Sequence, residues 1–165
     1  MEEQEFWELI ERSSGKAPAT EGHATRLAKL LSHRSVAEVI SFDQHFQECL
    51  NRSYRWDLWA VAYIILGGCS DDMFDYFRAW LIGQGREFFE RVMADPSRAA
   101  ERIPPGEEAD AEELLYVAND AHLALTGEDL PAGEYRQQRP NEPLGEPWEE
   151  ESLEQRYPAL CEKYS

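Results

Sequence analysis

The chain is short of cysteine, of positive charge and of long apolar runs, and each shortage removes a class of protein. Its three cysteines, Cys49, Cys69 and Cys161, are an odd count with no CxxC spacing. That fits a reducing interior better than a disulfide framework or a zinc knuckle. Lysine and arginine number 16 against 33 aspartates and glutamates, a formal charge of -17 over 165 residues. A field of that sign repels phosphate backbones and anionic lipid, so direct binding to nucleic acid or membrane is not expected. The longest unbroken apolar run is LWAVAYIIL, Leu58 to Leu66, well short of the roughly 20 residues a bilayer-spanning helix needs. The opening MEEQEFWELIERSS carries acids where an export signal carries lysine or arginine. A cytoplasmic protein is the expectation. His23, His33, His45 and His122 are too scattered for a zinc pair, and no nucleophile elbow, Walker loop or dinucleotide fingerprint occurs. No cofactor is implied.

What is present is helical period almost throughout, with no strand-like alternation of useful length. Phe6, Leu9 and Ile10 recur at steps of three and four, and Gly15 and Pro18 end that helix. Thr20 stands where it can cap a second helix through Leu31, and Ser35 with Glu38 forms a capping box opening a third. The segment Asp57 to Leu66 is apolar on nearly every side, as expected of a central helix. Gly67 and Gly68 end it, Ser70 is placed to cap the next, Asp71 to Gln84, and REFFERVMA continues to the stop at Pro96. Leu114, Ala118, Ala121 and Leu125 mark a further helix closed by Gly127. The reading is one all-α domain of six to eight helices packed around the Asp57 to Leu66 and Asp71 to Gln84 helices, with its helical core in residues 1–127. Residues 128–165 form a Pro/Glu-containing irregular arm and a short C-terminal helix, packed back through Trp148, Leu153, Tyr157 and Leu160.

The stretch GGCSDDMFDYFRAWL, residues 67 to 81, carries the most chemistry. At about 100° per residue, Met73, Phe74, Tyr76, Phe77, Trp80 and Leu81 share the core side, and Asp71, Asp75 and Arg78 gather opposite with Ile82. Two readings of the acids stand side by side. Asp71 and Asp72 in a first turn favour the helix dipole, with Asp75 free to pair with Arg78. Alternatively Asp71, Asp72 and Asp75 supply hard oxygen ligands to a divalent ion. The form DDMFD resembles the aspartate-rich motif of isoprenoid synthases, but this chain is too short for their enclosing barrel. Just upstream, YRWDLWAVAY concentrates Tyr54, Arg55, Trp56, Asp57, Trp59 and Tyr63, the aromatic and charged groups that a cationic or peptidic ligand would meet. Cys69, beside a helix start, is placed either to react or to fill a turn.

The long motif RWDLWAVAYIILGGCSDDMFDYFRAWLIGQGREFFERVMADP, with QEFWELIE before it and ELLYVANDAH after it, resembles a bacterial family known as domain of unknown function 4240. The likeness covers at least residues 3 to 127. It implies a small helical domain of undetermined activity, so no catalytic residue carries over. Asp57, Asp71, Asp72, Arg78 and Arg86 fall on the motif, and such polar groups form either one internal network or the lining of a cleft.

The leading expectation is a binding or accessory protein, not an enzyme. Its aromatic and acidic cleft, lined by Tyr54, Arg55, Trp56, Asp57, Asp71, Asp75, Arg78 and Arg86, would take a protein partner or a small cationic or peptidic ligand. A metal-dependent hydrolase or lyase using Asp71, Asp72 and Asp75 is the alternative, with the ion polarising a phosphoryl or carbonyl oxygen. A third is an acidic mimic of nucleic acid that occupies a basic protein. The oligomeric state is left open.

Overall fold

The computed structural model describes the backbone of residues 1–16 and 18–165, and every side chain among them except those of Glu21 and Gln137. Ala17, in the linker read between the first two helices, lies outside the described residues. Among the described residues seven α-helices reach nine residues or more: α1 (Glu3–Ser14), α2 (Glu21–Leu31), α3 (Val36–Arg52), α4 (Trp56–Leu66), α5 (Asp71–Gly83), α6 (Arg86–Ala94) and α7 (Val117–Thr126). Short α8 (Glu134–Gln137), α9 (Leu153–Arg156) and α10 (Pro158–Lys163) follow, with 3-10 helices at Pro96–Arg102, Glu112–Tyr116 and Glu150–Ser152. The described residues form no strand, only an isolated parallel bridge between Arg55 and Leu144.

The caps show how local chemistry sets these boundaries. Ser35 Oγ accepts the Glu38 N–H at 3.2 Å and Ser70 Oγ accepts the Met73 N–H at 3.2 Å, each satisfying a donor that the first helical turn leaves open. Gly67, at φ 69°, ends α4 in a left-handed turn that lets the Gly68 N–H reach Tyr63 O at 2.8 Å. This sharp reversal turns the chain from α4 into α5.

The most enclosed helix is α5. Phe74 and all of Phe77 to Gly83 are buried, whereas Tyr63, Ile64 and Leu66 of α4 keep partial exposure. Of the two helices expected at the centre, Asp57 to Leu66 and Asp71 to Gln84, the second is the more enclosed, and both Arg78 and Ile82 on its polar-looking side are covered. Gly83 makes the enclosure possible: a Cβ there would stand 2.7 Å from Leu114 Cδ1 and 2.9 Å from Ala19 Cβ. Met73 and Leu125, read as core positions, are exposed; both stand in terminal turns of their helices. The C-terminal helices bury Leu153 and Leu160. They close on the segment at 100–103 through Lys163 Nζ to Ala100 O at 2.9 Å and Tyr164 OH to Ile103 O at 2.5 Å.

A buried imidazole joins α1 to α2. His23 Nδ1 accepts the Ala19 N–H at 2.7 Å, and Nε2 lies 2.9 Å from Ile10 O and 3.1 Å from Ser13 Oγ. With Nδ1 accepting, Nε2 carries the proton and donates, so the ring is neutral. Burial holds its pKa below the ordinary 6.5, although the bond to Ile10 opposes the shift. Below pH 6.5 the unfolded chain then binds the proton that the native ring refuses, so this contribution is intact above 6.5 and is lost as pH falls through the depressed value. Urea denaturation from pH 7 to pH 5 is expected to show a falling midpoint, with a shallower fall in His23→Gln; equal slopes for the two proteins would contradict this role.

Candidate functional site

The chemistry is organised around Arg78, whose side chain is 2% exposed. Its guanidinium lies 4.7 Å from the ring centres of both Tyr54 and Phe74. Nη1 donates to Leu50 O at 2.5 Å, Nε to Phe74 O at 3.3 Å, and Nη2 to Asp75. Burial lowers the Arg78 pKa to about 10, with Asp75 opposing the shift, so the group is still charged at neutral pH. The bond to Leu50 O is the consequential one. It leaves α5, reaches the last turns of α3, and fixes where Asp75 stands.

Asp75 meets a second guanidinium, that of Arg139, with Nη2 at 2.9 Å from Oδ1 and 3.3 Å from Oδ2. Arg139 also lies 5.6 Å from the Tyr54 ring centre. Tyr54 is itself buried and donates to Asp71 Oδ1 at 3.3 Å, and burial and then Asp71 raise its pKa. Asp72 is exposed. Among the described residues no three His, Cys, Asp or Glu side chains gather as metal ligands would, and the Asp75 carboxylate is already shared by two arginines. Burial pushes the Cys69 thiol up to about 12, so it stays protonated at neutral pH.

The neighbouring residues of the YRWD stretch serve a different place. Arg55 is doubly paired with Asp57, at 3.0 and 2.6 Å, and donates to Met93 O at 2.8 Å. Both line a hollow of about 620 Å³ with Leu144, Gly145, Glu146, Arg156 and Tyr157. Trp56 stacks on Trp59 at 5.4 Å, Trp59 on Phe74 at 5.0 Å, and Trp148 meets Trp56 edge-on at 6.2 Å. Trp59 Nε1 donates to Cys69 O at 2.9 Å. The indoles are thus packed against one another along α4. Arg86 is elsewhere, tied to α1: its N–H donates to Glu11 Oε1 at 3.1 Å and Nη2 stands 3.5 Å from Glu3 Oε1. The read cluster is divided into three: Tyr54, Asp71, Asp75 and Arg78 together, Arg55 and Asp57 beside the Trp56 stack, and Arg86 apart.

Asp75 and Arg78 face a cavity of about 360 Å³. Gln47, Leu50 and Asn51 of α3 and Leu115, Tyr116 and Asn119 form its walls, and Leu130, Arg136 and Arg139 of the arm form its roof. One turn further along α3 lies Asp43, a carboxylate only 3% exposed. Arg136 grips it with Nε and Nη2, both at 2.8 Å, and the Tyr135 hydroxyl donates to it at 2.6 Å. Burial, then Asp43, pushes the Tyr135 pKa up to about 12, so the hydroxyl keeps its proton. Sequence reading did not single out Asp43, Tyr135, Arg136 or Arg139. The available signal was Asp43 itself, an acid inside the apolar series Val39, Phe42, Phe46 at helical spacing.

Fold and site together define an all-α domain whose carboxylates on α3 and α5 are met by guanidiniums from an appended segment. The chain belongs to the family described as protein of unknown function (DUF4240), which matches residues 1–123. No curated protein and no solved structure matches it. Asp43, Asp75 and Arg78 lie inside the family match; Arg136 and Arg139 lie beyond it.

Arg78 should carry stability as well as geometry. Removing it leaves Leu50 O with the Ser53 hydroxyl, at 3.1 Å, in place of a charged donor, and leaves Asp75 with a single, half-exposed partner. Arg78→Ala is expected to lower unfolding free energy by about 3 kcal/mol. Arg78→Lys should recover less than half of that, because an ammonium cannot serve three divergent acceptors in one plane. Denaturant titration of the three proteins checks both statements; a Lys variant as stable as wild type would show that charge alone suffices.

Proposed function

We propose that this is a non-catalytic binding or accessory protein of the cytoplasm. Its site is the acid-bearing groove along α3 and α5, and its ligand is an arginine-containing segment of a protein partner. One observation carries the reading: the described hydrogen-bond partners of the Asp43 side chain all come from outside the family match, from a segment of peptide seated on the groove. That segment supplies a guanidinium in two-point contact with one carboxylate, and a second guanidinium on Asp75 and over the Tyr54 ring. Arginine suits such sites because its planar fork matches a carboxylate and lies flat on an aromatic ring.

The chain's charge supports a basic partner, since an overall -17 draws cationic segments toward the groove and discourages anionic ones. The free thiols at Cys49, Cys69 and Cys161 support the reducing compartment. Among the described residues no helix is long and apolar enough to cross a membrane.

The test is a panel of peptides pairing an aromatic residue with arginine, lysine or glutamine, titrated against the full chain. Arginine peptides should bind best and lysine peptides more weakly, and glutamine peptides should not bind. Asp43→Asn or Asp75→Asn should weaken the arginine peptides at least tenfold, the scale expected when one member of a bonded charge pair is removed. Binding that ignores both substitutions, or that prefers glutamine, would remove the reading.

A further inference from the structure

Resting on that reading, we propose that Tyr135–Arg139 is a tethered stand-in for the partner. It fills the groove in cis and is displaced by a segment of the same Tyr-Arg-x-x-Arg chemistry, so the arm sets the threshold for partner binding.

Three features distinguish this contact from ordinary core packing. First, no described residue from 123 to 152 is buried; Leu130 and Trp148 pack on the core from either side of the strap while partly exposed, and Tyr135, Arg136 and Arg139 bind it through polar groups. Arg136 and Arg139 remain 35% and 49% exposed while their carboxylates are largely covered. Contacts of that kind separate at lower free energy than packed cores. Second, the surface beneath the strap is mostly polar, with Gln47, Asn51, Asp75 and Asn119 facing the cavity beside Leu50 and Leu115. Lifting the strap would expose groups that water can satisfy. Third, the strap is held at both ends. Gly127 ends α7 on one side. On the other, Leu144 exchanges backbone bonds with Tyr54 O at 2.8 Å and the Trp56 N–H at 2.9 Å. Beyond it Trp148 Nε1 donates to Trp56 O at 2.7 Å, and Leu153 is buried.

The strap would therefore lift as a loop and fall back. Arg136 is ten residues from the end of α7 at Thr126, and a tether that short gives its arginines an effective concentration on the order of millimolar. A free segment must outcompete that figure, so the apparent Kd is the intrinsic Kd divided by the open fraction.

The experiment uses a fluorescent peptide of residues 133–144, GEYRQQRPNEPL, titrated by anisotropy into the full-length chain. Partners in the comparison are wild type, the double variant Arg136→Ala/Arg139→Ala, and that double variant with Asp43→Asn added. The double variant is expected to bind the peptide at least tenfold more tightly than wild type, with the gain lost on adding Asp43→Asn. Equal affinity for wild type and double variant would overturn the arm as occupant while leaving the groove reading intact. No binding to a double variant that keeps the wild-type circular dichroism would overturn both. Hydrogen exchange on unmodified protein supplies an answer that needs no substitution. Saturating peptide should speed exchange across 136–138 at least tenfold, with the anchoring Leu144 amide, α3 and α5 unchanged. An arm whose protection is unaffected by bound peptide would refute the proposal.

Discussion

A charged guanidinium with almost no contact with water is the constraint to which the other parts of this site adjust. Burying Arg78 alone would cost several kcal/mol, and the structure offsets the cost with two backbone carbonyls, one carboxylate and two aromatic faces. Each compensation fixes something else. The carbonyl of Leu50 fixes α3 against α5; the rings fix Tyr54 and Phe74, hence the entry to α4; the carboxylate fixes Asp75 at the edge of the groove. With Asp75 so placed, Arg139 has a partner and the arm has a landing point. The series runs from backbone carbonyl to buried arginine to largely covered acid to half-exposed arginine. Side-chain exposure rises outward from the buried arginine, at 2% for Arg78, 24% for Asp75 and 49% for Arg139.

Helix identity was legible because its determinants are local. Ser35 and Ser70 capped as read, Gly67 and Gly68 ended α4, and the all-α class followed from period alone. The rank order of burial was not legible. The segment Asp57 to Leu66 is more apolar than Asp71 to Gly83, yet α5 is the more enclosed. Apolarity reports what a helix tolerates, whereas enclosure depends on what packs against it, and the covering of Arg78 required a carbonyl 28 residues away. Helical angles placed Asp75 and Arg78 on one face correctly, but could not say that the same face would be roofed.

The same distinction accounts for the site. Tyr54, Asp71, Asp75 and Arg78 lie close enough in sequence for turn geometry to gather them. Arg55 and Asp57, two residues apart, satisfy each other instead, and Arg86, the residue after Gly85, is carried round to α1. Proximity along a chain does not fix direction across a turn. Asp43 and Arg136 are separated by 93 residues, and no periodic rule joins them. The trace left in the sequence is negative: an aspartate where the stripe Val39, Phe42, Phe46 calls for an apolar residue. An acid in such a place needs a counter-charge from somewhere, and the arm supplies it.

That arm is not cationic in bulk. Between residues 128 and 147 it holds five acids, Glu128, Asp129, Glu134, Glu142 and Glu146, against two bases, Arg136 and Arg139. Set against a protein of net charge -17, a segment with that excess of acid is repelled over most of its length. Both of its bases nevertheless fall on core carboxylates, Asp43 and Asp75. The attraction is short-ranged, directional and partly shielded from ions; the repulsion is diffuse and exposed, and is weakened by salt over a Debye length of about 8 Å at physiological ionic strength. The opposing effects act on the same strap, so its closed state is held by two local grips against a distributed push. A partner that supplies the arginines without the accompanying acids would retain the grips and escape the push, which gives it an advantage over the arm once both compete for the groove.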